Sequence, residues 1–291
     1  MTEILKVENL YKNFGRKKVL EDFNMTLEKG KAYGLLGRNG EGKTTLIRMI
    51  MGVIPSDKGE IFYKGKRIRF SDTSYKSEVG YIAEESIFFS WMTIKGLMDF
   101  NSSFYPKWNA QKANKFLKRF SLDKKMRIKN LSRGMKLKLG LIIALASEPE
   151  LLILDDPTSG LDVPTRHDFL KDIIREILEF GTTILFSSHL VHELEGVIEH
   201  LSILHHGNLI VDEDFQKIKN SIKRVHILFD EPPPDKIKIE GILTEQTDGN
   251  RKVLVIYPWN EEKENKIMSS TSAHLEIEPL LLEEIFISFV S

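Results

Sequence analysis

The chain has 291 residues, more than one typical domain and enough for one large domain with an appendage. Lys plus Arg and Asp plus Glu stand at 42 each, so no global field draws the protein to nucleic acid or to an anionic membrane, and no nucleic-acid partner is expected. Cysteine is absent, which excludes disulfides and thiolate metal sites. Neither a signal-peptide layout nor an apolar run near the ~20 residues of a membrane span is visible, so the chain by itself reads as soluble.

Residues 3 to 36 alternate like strands, with Glu28-Lys29-Gly30-Lys31 as a turn. Within them Phe14 precedes Gly15, where an aromatic serves more often as core than as a platform for a base. The apolar run Ala32 to Leu36 predicts a buried strand, and Leu46-Ile47-Arg48-Met49-Ile50 predicts the first turns of a helix. Between them lies Gly37-Arg38-Asn39-Gly40-Glu41-Gly42-Lys43-Thr44-Thr45. Glycines let backbone N–H groups converge there, the helix start adds its positive dipole end, and Lys43 adds a full positive charge. That combination is a phosphate cradle, and the Thr44 hydroxyl is placed to ligate the Mg²⁺ that accompanies a nucleoside triphosphate.

Glu60 to Lys66 predicts a hairpin turning at Gly65, and Val79 to Ala83 a short strand that ends at Glu84-Glu85. From about 85 to 147 the texture is helical, first rich in aromatics (Trp91, Phe100, Phe104, Tyr105, Trp108). Between Lys112 and Lys138 it becomes basic, which is most simply a solvated face. Pro149 precedes Leu151-Leu152-Ile153-Leu154, an apolar run fit for a strand covered on both faces, and that run ends in Asp155-Asp156. Two carboxylates at the end of a buried strand are expensive unless a cation or a reaction uses them, and that edge of a parallel sheet is where ligands sit. A helix over 164–180 and a strand over Thr182 to Ser188 follow, the latter ending at His189, at a third strand end beside Gly37 and Asp155. From about 212 short strands alternate with turn signals (Pro232-Pro233-Pro234, Asp248-Gly249-Asn250). A polar helix near Glu261 to Ser269 and an amphipathic end over Leu280 to Val290 complete a small α+β appendage with no catalytic constellation.

Together these residues resemble the ABC-type ATPases, the nucleotide-binding subunits of ATP-binding-cassette transporters, over about residues 3 to 211. Gly37 to Thr45 resembles Walker A, Leu131-Ser132-Arg133-Gly134-Met135 the signature loop, and Leu151 to Asp155 Walker B. Ser159-Gly160-Leu161-Asp162 resembles the D-loop and His189 the switch histidine. The resemblance implies an α/β fold: a P-loop, RecA-like parallel-sheet core with an N-terminal antiparallel β subdomain and a helical signature subdomain at about 85–147. Residues 1–211 would form the nucleotide-binding domain and 212–291 the small C-terminal α+β extension.

The same resemblance implies roles. Phe14 would stack on adenine, while Gly37, Asn39, Gly40, Gly42, Lys43, Thr44 and Thr45 would hold the phosphates of ATP and Mg²⁺, with Asp155 binding the metal through water. Glu84 falls where the family usually has glutamine, at the link between Mg²⁺, attacking water and the helical subdomain; a carboxylate keeps the acceptor and loses the amide donor. Asp156 stands where the family usually has the catalytic glutamate. Ser132 and Gly134 would meet the γ-phosphate held by a second ATP-binding protomer, and Asp162 would also lie at the nucleotide. Arg133 and Met135 replace a glycine and a glutamine common there, and this Ser-x-Gly-Met form resembles the bacterial exporter branch. The implied protein is an efflux ATPase acting through integral membrane transporter subunits at the cytoplasmic face of the membrane. Its rivals are an importer ATPase and a soluble ABC ATPase acting on DNA or ribosomes. Against the DNA-repair type, only 88 residues separate Lys43 from Ser132, too few for a long coiled-coil insertion. The aromatics just after Glu84 are expected to receive the membrane subunit, with Phe88, Phe89 and Trp91 the most exposed.

Overall fold

The computed structural model describes residues 2–85, 87–158, 174–189, 191, 194–230, 232–234, 237, 239–270 and 273–291. Contacts divide the chain into two compact units, Met1–His189 with Ser202–Asp212, and Leu190–Leu201 with Glu213–Ser291.

The first unit begins with two long strands, β1 (Glu3–Phe14) and β2 (Lys17–Glu28), paired antiparallel around a turn at Gly15. One face of β1 is covered: Leu5 and Val7 are buried, while Lys6 and Glu8, which alternate with them, are partly exposed. Strands β4 (Lys58–Tyr63) and β5 (Lys66–Ile68) complete a sheet in the order β2-β1-β4-β5, with the hairpin turning at Lys64-Gly65.

A second sheet runs β10-β9-β3-β8-β7-β6. Its strands are β3 (Ala32–Leu36), β6 (Val79–Ile82), β7 (Leu151–Asp155), β8 (Thr183–Ser188), β9 (His200–His205) and β10 (Asn208–Asp214). The pairs β3–β8, β8–β7 and β7–β6 are parallel. Every residue of β3, β7 and β8 is buried, as a parallel sheet covered on both faces requires. Helix α1 (Lys43–Ile50) inserts Leu46, Ile47, Met49 and Ile50 into a core shared by both sheets, where they join Leu5 and Phe23 of the antiparallel sheet and Leu35 and Ile153 of the parallel one. The phosphate loop is thus anchored at both ends by packed elements.

The helical region contains α2 (Ile94–Ser102), α3 (Ala110–Arg119) and α4 (Arg133–Ala146). Each starts at a side-chain cap: Thr93 accepts from Gly96 N–H at 3.1 Å, Asn109 from Lys112 N–H at 2.9 Å, and Ser132 from Met135 N–H at 3.2 Å. Helix α5 (Ile174–Glu179) is the described part of the helix expected over 164–180.

In the second unit, α6 (Phe215–Ser221), β11 (Lys223–Phe229), β12 (Ile242–Asp248), β13 (Arg251–Ile256), α7 (Glu261–Ser270), β14 (Ala273–Glu278) and α8 (Leu282–Val290) follow in order. The strands form an antiparallel sheet β12-β13-β11-β14. Val225, Ile227 and Phe229 of β11 pack with Leu254, Ile256 and Ile267, while Leu228 between them is exposed. The mixed α/β architecture with one parallel and two antiparallel sheets is the fold the sequence leads one to expect.

Candidate functional site: a phosphate loop facing a paired carboxylate

Gly42 ends the phosphate loop with a left-handed backbone, φ 114°, that side chains rarely adopt. A Cβ there would lie 2.9 Å from the Val19 carbonyl oxygen, so both conformation and space demand glycine. Immediately after it the Lys43 ammonium turns back into the loop and donates to the carbonyls of Gly37 (2.6 Å) and Arg38 (3.1 Å). Burial lowers its pKa, and the charges of Asp156, Asp155, Glu41 and Glu84 oppose that shift. Among the described residues the hydrogen bonds of this buried cation go to neutral carbonyls, which leaves it prepared for an anion.

Opposite it, β7 ends in Asp155, whose Oδ1 accepts from Thr44 Oγ1 at 3.1 Å and from Ser187 Oγ at 2.8 Å. Burial raises the pKa of Asp155; the two hydroxyl bonds pull it down, and the charges of Glu84 and Asp156 push it further up. Asp156 follows in a left-handed conformation, φ 46°, which short polar residues tolerate best. Its N–H donates to the Ser187 carbonyl (3.0 Å) and hydroxyl (3.1 Å), and its Oδ2 bonds His189 Nδ1. Its other oxygen, Oδ1, is buried and has no hydrogen-bond partner among the described residues. Burial again raises the pKa of Asp156, opposed by His189 and by Lys43.

The structure therefore brings Lys43, Thr44, Asp155, Asp156 and His189 into one cluster, with Glu84 near enough at the end of β6 for its charge to act on both aspartates. Gly37, Asn39, Gly40, Gly42 and Thr45 belong to the loop and first helical turn around Lys43. Phe14 is 53% exposed at the end of β1 with the Lys12 ammonium 5.3 Å from its ring centre, and Ser132 is exposed at the start of α4, beside Gly134. Neither is part of the hydrogen-bonded cluster. A cleft of about 400 Å³ lined by Glu84, Glu85, Arg133, Lys136 and Pro157 joins the end of β6 to the first turns of α4. Asp162 lies outside the described residues.

One expectation needs correction. Phe88 is half-buried, lining a cleft with Gly80, Tyr81, Leu97 and Tyr105, and Ile87 beside it is, among the described residues, the most exposed large apolar one at 91%. Phe89 (50%) and Trp91 (69%) are exposed as expected and tilted against each other, and Phe89 also meets Phe100 edge-on. Sequence reasoning also missed Ser187, which bridges the two aspartates and whose only signal was a polar pair at a strand end.

The residues present fit MgATP: a buried ammonium without a carboxylate partner, a hydroxyl already aimed at a carboxylate, and an orphaned buried carboxylate oxygen. Such a loop facing a strand-end carboxylate pair defines a P-loop ATPase. More narrowly, the chain belongs to the ATP-binding proteins of ABC transporters and is an ATPase of that family. The family model described as ABC transporter matches residues 20–159. The ABC transporter ATP-binding protein YtrB of Bacillus subtilis (strain 168) is 31% identical over 285 residues, covering 98% of this chain and 97% of that one. The lantibiotic transport ATP-binding protein SrtF of Streptococcus pyogenes is 31% identical over 227 residues, 75% of this chain and 93% of its own. A solved ATP-binding subunit of an ABC transporter superposes with a TM-score of 0.67 at 27% identity, over 74% of this chain and 92% of that one.

Proposed function

We propose that this ATPase powers efflux of a small molecule, drug or peptide through separate integral membrane subunits, working at the cytoplasmic face of the membrane. The observation that carries the site assignment is the single cluster formed by Lys43, Thr44, Asp155, Asp156 and His189. SrtF, by its name a lantibiotic transport ATP-binding protein, supports the transport reading. No helix among the described residues is long and apolar enough to cross a membrane.

In this reading the Lys43 ammonium leaves its two carbonyls for the β- and γ-phosphates, and the loop N–H groups complete the cradle. Thr44 and Asp155, already in contact, hold Mg²⁺, which when bound neutralises charge on the phosphates. Asp156 orients the water that attacks the γ-phosphorus and draws on its proton as the bond to the β–γ bridging oxygen breaks. His189 fixes the Asp156 carboxylate through Oδ2, leaving Oδ1 for the water. Glu84 links this chemistry to the cleft beneath α4, and the exposed Ile87, Phe89 and Trp91 form the surface for the membrane subunit.

Phe14 stacks on the adenine. Phe14→Ala is expected to weaken MgATP binding by about 1–3 kcal/mol, the range for an aromatic platform under a base. Calorimetry checks this, and unchanged affinity would remove Phe14 from the site.

The second ATP-binding protomer enters through Ser132 and Gly134, because an exposed helix start with a capping serine is suited to a phosphate held by another molecule. Sedimentation with and without MgATP tests the proposed function. The parent is expected to shift from monomer to dimer on adding nucleotide. Ser132→Glu, which sets a carboxylate against the γ-phosphate in a desolvated seam at a cost of several kcal/mol, is expected to stay monomeric. A Ser132→Glu protein that dimerises as the parent does contradicts this placement.

A further inference from the structure

We propose that Glu41, His205 and His206 form a second cation site, selective for a divalent transition metal such as Zn²⁺, on the side of the phosphate loop toward the β9–β10 turn. One ligand atom from each residue lies within 4.8 Å of the others. The donor set, two imidazoles and a carboxylate, suits Zn²⁺ and its neighbours rather than Mg²⁺ or Ca²⁺, which prefer all-oxygen sites.

Adjacent residues on an extended strand point to opposite faces, so two consecutive histidines ordinarily do not share an ion. Here the strand has ended. His206 adopts a left-handed backbone, φ 48°, and the turn continues through Gly207, φ 79°. The two imidazole rings consequently lie side by side, with centres 4.0 Å apart. The turn is held in place from outside, because the Glu21 N–H donates to the Gly207 carbonyl at 3.0 Å and a Cβ at Gly207 would meet the Val19 carbonyl oxygen at 2.9 Å.

Glu41 reaches this turn from between Gly40 and Gly42. Its Oε2 accepts from the His206 N–H at 2.5 Å, which fixes the carboxylate and leaves Oε1 turned to His205 Nδ1 at 3.4 Å. That imidazole nitrogen is buried and, beyond this loose contact, makes no hydrogen bond among the described residues. A buried nitrogen that makes no hydrogen bond is costly, and a metal ion would use its lone pair. Ligand atoms held at ~2 Å from one ion lie within about 3.5 Å of one another, so small side-chain rotations close the site and leave a fourth position to water. The ion would tie the phosphate loop to the β9–β10 turn.

The test is calorimetric titration of the full-length, nucleotide-free protein with Zn²⁺ in excess Mg²⁺, paired with thermal unfolding. The parent is expected to bind one Zn²⁺ at this site and to unfold at a higher temperature when it is present, by mass action. Glu41→Gln, His205→Gln and His206→Gln are each expected to weaken that binding at least about tenfold and to lose the thermal shift. The three are scored separately, so failure of one to fold leaves the others to decide. His189→Ala tests the alternative location at the Asp155–Asp156 cluster. Absence of Zn²⁺ binding by the parent overturns the proposal. Binding that survives in the folded variants of the turn and disappears in His189→Ala overturns it equally.

Discussion

Lys43→Ala is expected to abolish measurable MgATP binding. In the free protein the ammonium is almost fully buried and closes the loop by donating to Gly37 and Arg38. Burial makes the charge expensive to keep, and the surrounding carboxylates favour it; a triphosphate gives it the strongest compensation on offer. Removing one partner of a buried charge pair costs about 2–5 kcal/mol or more, a loss of roughly 30-fold to several-thousand-fold in affinity. The substitution also leaves two loop carbonyls without their donor, so the cradle loses its shape with its charge. Calorimetry decides it: a Lys43→Ala protein that binds MgATP like the parent would place the phosphates elsewhere.

The second large effect is expected at Asp156, which the resemblance sets in the place of a catalytic glutamate. Aspartate is one methylene shorter, about 1.5 Å less reach, and a misplacement near 1 Å can cost on the order of 100-fold. Its Oδ2 is engaged by His189, while Oδ1 is buried with no hydrogen-bond partner among the described residues and is the oxygen left for the water. Glutamate would be less at ease in the left-handed backbone, at about 1–2 kcal/mol. That cost falls chiefly on folding stability, whereas the gain in reach acts on a barrier difference of about 2.7 kcal/mol. Asp156→Glu is therefore expected to raise steady-state ATPase, and Asp156→Asn, which loses the charge that would draw on the proton, to lower it further, both with ATP affinity nearly unchanged. Single-turnover hydrolysis checks this. A glutamate variant equal to or slower than the parent would mean that the site is built around aspartate. Slow hydrolysis at this site would keep the ATP-bound dimer long-lived, a property a heterodimer tolerates because an active partner site still resets the cycle.

Much of the site was legible because its demands are local. A loop that packs N–H groups around an anion needs glycines at fixed offsets, and a strand covered on both faces cannot end in two carboxylates without a use for them. Those constraints left their marks at Gly37 to Thr45 and at Leu151 to Asp156. The hydrogen bond of Glu41 with the turn at His206 spans 165 positions, and no local pattern announces such a pairing. Ser187 was hidden for the same reason, since its partners belong to the neighbouring strand end. The left-handed backbone at Asp156 follows from its ties to Ser187, and neither sequence spacing nor side-chain type encodes it. Among the aromatics, Phe88 lines the cleft beside α2 while Ile87 next to it is exposed, a difference that spacing from Glu84 does not resolve.

The central claim is that this ATPase serves a membrane transporter, and purification of the tagged protein from detergent-solubilised membranes of its own cell tests it most directly. The account predicts a stable complex with proteins that carry membrane-spanning helices, hydrolysing MgATP, and dissociated when Ile87, Phe89 and Trp91 are all replaced by serine while ATP binding persists. Recovery of the protein free of membrane subunits, or bound instead to ribosomes or DNA, would contradict it.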